Sequence, residues 1–270
     1  MWKVLYATDF SDHSQKVLNV LVRYRDLVKE VVVVRVINVH RFQNPLVNVA
    51  DLINEERKYA EEKILEILDF LDDHYGIKGE VFYIPVGDPA EEIMRVAEKE
   101  KADVIMMGHR GRGALKKILL GSVAEGVAKI SRIPVLVVKE GIELFKRVLY
   151  VPYPLDSKIP KVLLDVGKVA DIVYVAHVVE PLLPPESTKR IFDEMFEKAK
   201  EKLESIKEEL EKNRIKAESI LEVGCPNKEI LRIANKCRAS CVFLKTTEFT
   251  KVSDGVLRYS KSSVMVVKEG

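Results

Sequence analysis

The chain is poor in the residues that staple, span or target. It has three cysteines, an odd number, so no disulfide framework can be built from them. It has one tryptophan, and aromatic residues make up 7% of the whole. No apolar run approaches the ~18 residues a membrane helix needs. The start, "MWKVLYATDF", lacks the basic segment and apolar core of a secretory leader. Net charge is only +2, with both signs mixed along the chain, which gives no electrostatic reason to expect a nucleic-acid or membrane partner. A reducing, cytoplasmic setting is the expectation. Five scattered histidines show no metal-ligand spacing, and no metal site is expected from side chains alone.

What is present is a repeat. Residues 86–102, "VGDPAEEIMRVAEKEKA", align without gaps to residues 223–239, "VGCPNKEILRIANKCRA", with nine of 17 positions identical. "KVLYATD" at 3–9 matches "RVLYVPY" at 147–153, and "RIPVLVVKEG" at 132–141 matches "KSSVMVVKEG" at 261–270. Two copies of one unit, 1–141 and 146–270, account for the 270 residues.

Each copy alternates strand and helix signals. In the first, "WKVLYAT" reads as a strand and 12–28 as a helix; "VVVVRVINV" has the continuous valine-rich character of a strand buried on both faces. Ile64, Leu68, Leu71 and Tyr75 mark one helix face, and "EVFYIPV" is a third strand. Asp88, Pro89 and Glu91 form a helix start with a capping box. "ADVIMMG", a helix over 122–131 and "PVLVVK" complete the copy. In the second copy a helix over 187–212 carries Phe192, Met195, Ala199, Leu203, Ile206 and Leu210 on one side, after a loop "EPLLPPES". This alternation predicts parallel sheets covered on both sides, with ligands beyond the carboxyl ends of the strands.

At that end lies "MGHRGRGALKKILLGSV", residues 107–123. Gly108, Gly111 and Gly121 follow the spacing G-x2-G-x9-G, with Ser122 and Val123 next. Glycines let backbone N–H groups approach an anion and permit positive φ; a helix opening at Gly121–Val123 would favour phosphate. Arg110, Arg112, Lys116 and Lys117 add positive charge. The alternative is that Ser122-x-x-Glu125 is a capping box that satisfies the helix start without a ligand. Asp9, just past the first strand, either faces the same crevice, where a carboxylate suits ribose hydroxyls better than phosphates, or with Ser11 and Asp12 only begins the first helix.

"ATDFS", "VGDPAEEI" and "MGHRGRGALKKILLGSVAEGVAKISRIPVLVVK" together resemble the universal stress protein family. The resemblance covers the chain as a tandem pair and is strongest over residues 1–140. It implies two Rossmann-like domains, of the adenine nucleotide alpha hydrolase-like kind, each a five-stranded parallel sheet of order 3-2-1-4-5. It further implies an adenine nucleotide, ATP or AMP, with Mg²⁺ carried mainly by the phosphates. On this resemblance Ala7, Thr8 and Asp9 would meet the adenosine end and Val36 the adenine. Met107 and Gly108 would underlie the ribose and first phosphate. Gly111, Gly121, Ser122 and Val123 would hold the phosphates, with Arg110 beside them. His109 has no partner carboxylate nearby in sequence and is expected to be a loop side chain.

The second copy departs from the pattern. Tyr153 stands for Asp9, Lys245 for Gly108, Thr250 for Gly121 and Lys251 for Ser122, and the loop region is eight residues shorter. A lost second site is expected, with the second domain as a structural partner paired to the first through the last strands, and a homodimer possible. Cys225, Cys237 and Cys241 all lie in this copy and are expected to be ordinary buried or half-buried thiols. The functional expectation is a nucleotide-dependent stress-response switch with an unidentified protein partner. A slow ATP-hydrolysing enzyme and a nucleotide-free scaffold remain open, although neither a Ser-Gly-Gly loop nor a His-x-Gly-His motif of the related enzymes appears.

Overall fold

The computed structural model describes residues 1–38, 48–111, 120–139, 143–156, 158–181 and 185–269. Arg112, Lys116, Lys117 and Gly141 lie outside the described residues. The chain forms two compact units, Met1–Ile142 and Glu143–Gly270.

The first unit runs β1 (Trp2–Ala7), α1 (Asp12–Arg23), β2 (Val28–Val34), α2 (Val49–Tyr75), β3 (Lys78–Tyr83), α3 (Pro89–Lys99), β4 (Val104–Gly108), α4 (Ser122–Ile130) and β5 (Val135–Val138). Its strands pair in parallel in the order β3-β2-β1-β4-β5. Val4, Leu5 and Tyr6 of the central strand are fully buried, as are Val31, Val32 and Val33 beside them. Right-handed crossovers put α1 and α2 on one face and α3 and α4 on the other. Accordingly α3 packs on α4, α1 on β4 and β5, and α2 on β3.

The second unit repeats this with β6 (Arg147–Pro152), α5 (Lys161–Gly167), β7 (Ile172–Val179), α6 (Pro185–Lys212), β8 (Ala217–Val223), α7 (Pro226–Lys236), β9 (Cys241–Thr246), α8 (Lys251–Tyr259) and β10 (Ser263–Lys268). Counted within the unit, its strand order is again 3-2-1-4-5.

Several local expectations change. The first helix stops at Arg23 rather than 28: Tyr24 caps it, and a single 3-10 turn at Arg25–Leu27 swings the chain into β2. Helix α6 starts at Pro185, inside the expected loop, because proline suits a first helical turn. On α6, Ala199, Leu203, Ile206 and Leu210 are buried as expected, whereas Met195 is exposed. Cys225 is exposed, not buried, because it precedes α7 at the open edge of a turn; Cys237 and Cys241 are buried.

Candidate functional site

Parallel pairing aligns the carboxyl ends of three strands: Ala7 is opposite Val34 on one side and Met107 on the other. Successive strands move one way from β1 to β3 and the other way through β4 and β5, so a crevice opens between β1 and β4. A cavity of about 460 Å³ lies there. Its walls include Ala7, Thr8, Asp9, Val36, Met107, Gly108, Arg110, Gly111, Gly121, Ser122 and Val123, the eleven residues singled out in the sequence.

The floor is set by β1. The buried Tyr6 hydroxyl donates to the Ser14 carbonyl at 2.9 Å and lies 3.2 Å from Thr8 Oγ1, and burial pushes its pKa up to about 12. Thr8 Oγ1 accepts from the Phe10 backbone N–H at 3.0 Å, and Phe10 takes a left-handed φ of 59°. This turn feeds Ser11, which caps α1 by accepting from Ser14 N. Asp9 is not the cap. Its Oδ1 accepts from the Ser11 backbone and hydroxyl at 3.1 and 2.6 Å. Its Oδ2 lies 2.6 Å from where a Cβ on Gly111 would stand, so the carboxylate faces the glycine loop.

The glycines serve space, not dihedral freedom. Among the described glycines, only Gly76 and Gly224 have positive φ, so that part of the expectation is overturned. A Cβ at Gly108 would stand 2.6 Å from the His13 carbonyl oxygen and 2.9 Å from Ser14 N. The first turn of α1 therefore lies directly on the end of β4. The loop is closed at its base: His109 N–H donates to Val138 O at 3.0 Å, and Gly121 N–H donates to His109 O at 2.8 Å.

The start of α4 overturns the capping-box expectation. Its N-cap is Gly121, with no side-chain cap, and Ser122 is the first helical residue. One residue's offset removes Ser122 from the position where its hydroxyl could cap. The N–H groups of this first turn thus border the cavity without a side-chain acceptor, at the positive end of the helix dipole. Arg110 also lines the cavity, and its buried Nε has no hydrogen-bond partner.

His109 is a loop side chain, as expected, just past the end of β4, and it is buried. Its ring stands edge-on to His13, with centroids 4.4 Å apart, and its Nδ1 is 3.3 Å from Val138 O. Burial, then the charge of His13, draws its pKa down to about 4; Arg110 and Lys139 push the same way, and the Val138 carbonyl opposes. It is neutral at pH 7.

Sequence reasoning missed Arg35, Asn38, Pro89 and Ile93, which also line the cavity. Arg35 carried a signal: it is the one charge inside "VVVVRVI", where a buried strand should have none. Its Nη1 donates to the Val36 carbonyl at 3.0 Å.

The corresponding place in the second unit is built differently. Lys245, 2% exposed, turns its ammonium onto the Asp156 carboxylate and donates to the Lys158 carbonyl at 2.7 Å. Glu269 is 3.7 Å away. Thr250 caps α8 with a capping box completed by Ser253, so that helix start is satisfied internally. Tyr150 matches Tyr6, but Pro152 replaces Thr8, and the buried Tyr150 hydroxyl has no partner. Tyr153, in place of Asp9, is exposed.

The sequence model of the universal stress protein family matches residues 1–139 and 165–268. The chain belongs to the universal stress protein family, in a tandem two-domain form. It is similar to universal stress protein MJ0577 of Methanocaldococcus jannaschii, 37% identical over 160 residues, covering 51% of this chain and 94% of that protein. Universal stress protein MJ0531 of the same organism is 36% identical, covering 51% of this chain and 82% of the relative. The crystal structure of a universal stress protein from Archaeoglobus fulgidus is similar over 100% of this chain and 97% of its own, at 28% identity and a TM-score of 0.74. No described helix is long and apolar enough to cross a membrane.

Proposed function

We propose that residues 1–141 form an adenine-nucleotide-binding domain, taking ATP or AMP in the cavity between β1 and β4, and that the protein acts as a nucleotide-dependent stress-response switch. The observation that carries this reading is the start of α4: a helix N-terminus without a side-chain cap, opening onto a cavity that Arg110 also lines. Backbone N–H groups and a guanidinium there suit phosphate oxygens. Asp9 suits the ribose hydroxyls, and Val34, Val36 and Ile93 suit a flat base.

Among the described residues no three metal-ligating side chains converge. A Mg²⁺ would therefore be held mainly on the nucleotide's phosphates, with Asp9 and Ser122 among the side-chain oxygens that line the same cavity. His109 is neutral, with one ring nitrogen at a backbone carbonyl, which gives a poor general base; binding with at most slow hydrolysis is the reading. The second domain, residues 146–270, is a structural partner in which Lys245 stands in place of Gly108, with its ammonium bound to the Lys158 carbonyl and the Asp156 carboxylate. The reading is tested by calorimetric titration of ATP and AMP into wild type and Gly121→Val. A Cβ at 121 would stand 3.4 Å from the His109 carbonyl oxygen and 3.5 Å from Arg110 Cα, so the larger valine side chain would crowd the segment that lines the cavity. Wild type is expected to bind one nucleotide per chain and the variant at least about tenfold more weakly; equal binding by both would move the site elsewhere.

A further inference from the structure

Asp9 lines the cavity, and its direction is set by a neighbour that does not. The backbone N–H and the hydroxyl of Ser11 both donate to Asp9 Oδ1, at 3.1 and 2.6 Å. A carboxylate only accepts, so the hydroxyl proton lies on the Asp9 side. The same hydroxyl oxygen accepts from the Ser14 N–H at 3.3 Å as the cap of α1. The Ser11 carbonyl accepts from the Ser14 hydroxyl and from the Gln15 N–H, both at 2.9 Å. Both functions of the hydroxyl are thus engaged, the backbone beneath it is held, and one rotamer serves both contacts.

Two donors on Oδ1 restrain the carboxylate and leave Oδ2 turned to the glycine loop, 2.6 Å from where a Cβ on Gly111 would stand. The turn is pinned on its other side by Thr8, whose Oγ1 accepts from the Phe10 N–H at 3.0 Å. An acceptor held in this way recognises a donor by its position. The vicinal hydroxyls of a ribose are such donors, and a 2′- or 3′-deoxyribose lacks one of them. A carboxylate free to swing would follow whichever hydroxyl remained; a fixed one loses its partner. In the second copy Tyr153 stands in place of Asp9 and Leu155, two residues on, in place of Ser11. Helix α5 there follows Pro160 with no side-chain cap, so the aimed carboxylate and the serine cap are absent together.

We propose that Ser11 is a positioning residue for this cavity: its one hydroxyl caps α1 and aims the Asp9 carboxylate, and through Asp9 it makes the site select ribonucleotides over their deoxy forms. This rests on the nucleotide reading of the cavity, with Asp9 at the ribose. ATP, 2′-deoxyATP and 3′-deoxyATP would be titrated by calorimetry into the full chain as wild type, Ser11→Ala, Ser11→Gly, Ser11→Thr, Asp9→Ala and the Ser11→Ala, Asp9→Ala pair. Wild type is expected to bind ATP at least about tenfold more tightly than one of the deoxy forms, as a hydrogen bond to a charged group commands. Ser11→Ala and Ser11→Gly should each bring that preference to within about threefold of none. Glycine is a serviceable N-cap, so the loss in Ser11→Gly is not that of a frayed helix. Ser11→Thr keeps the hydroxyl and should keep the preference. In the Asp9→Ala background, Ser11→Ala should change the ratio no further, because its effect runs through Asp9. A merely structural serine would weaken all three nucleotides alike and leave the ratio unchanged; circular dichroism checks that each variant folds. A wild type that does not discriminate, a preference retained in Ser11→Ala or Ser11→Gly, or one lost in Ser11→Thr overturns the proposal and leaves the nucleotide reading intact. Binding of none of the three by wild type overturns both.

Discussion

At the scale of single residues, the site is built by close approach. Gly108 is needed because the backbone of His13 and Ser14 occupies the space a side chain would fill. That contact also presses His13 against His109, and this has a consequence for stability. The charged and titratable groups facing the pair are Lys16, Arg110 and Lys139, with Asp9 and Asp12 opposing near His13. The pKa of His109 is held near 4 in the folded chain against 6.5 in its ordinary state. Below pH 6.5 the unfolded chain gains a proton that the folded one refuses until about pH 4. Stability attributable to His109 therefore falls as pH drops through that window, by up to about 3 kcal/mol, and is flat on either side. Urea unfolding of wild type and His109→Asn between pH 7 and 4 checks this: the variant should lack that share of the acid sensitivity. Identical pH profiles would mean that the imidazole is solvated.

At the scale of elements, helix starts distinguish the two copies. Helix α3 is capped by Asp88, which accepts from Ala90 N and Glu91 N at 2.9 and 3.1 Å; the reciprocal half of the expected capping box is not formed. Its counterpart α7 has Cys225 as its N-cap residue, and that side chain makes no cap bond. Cys225→Asp should supply the missing acceptor and raise the unfolding free energy of the second unit by about 1 kcal/mol, read from its urea midpoint. No change would mean that the turn before α7 does not hold an aspartate as the turn before α3 does. Helices α4 and α8 reverse the comparison: α8 has its own cap at Thr250, and α4 has none.

These elements also show how far the sequence could be read. The alternation of strand and helix was legible because apolar period and cap residues are local. The end of α1 was not, since residues 24–28 continue a helical composition and only the entry into β2 stops them. The cap of α4 was misread by one residue, because whether Ser122 or Gly121 is the cap depends on backbone angles that the hydrogen bond from Gly121 N to His109 O fixes. The His13–His109 contact needed the packing of α1 on β4, which no local pattern encodes. Arg35 was visible as a charge in a valine run, but its place in the cavity wall follows only from where β2 ends.

At the scale of the whole molecule, one duplicated architecture carries two different crevices. The first keeps a carboxylate, spaced glycines and an uncapped helix. The second has exchanged them for a lysine held by Asp156 and Glu269 and for a self-capped helix. The account therefore requires one ligand per chain, not two. The most direct test is to denature the purified, untreated protein, identify any released nucleotide by mass spectrometry and follow with ATP and AMP titration. The account predicts about one nucleotide per chain, chiefly ATP or AMP, and its loss in Gly121→Val. No released nucleotide and no binding at millimolar ATP or AMP would contradict it and leave the glycine loop as a packing feature of β4 and α1.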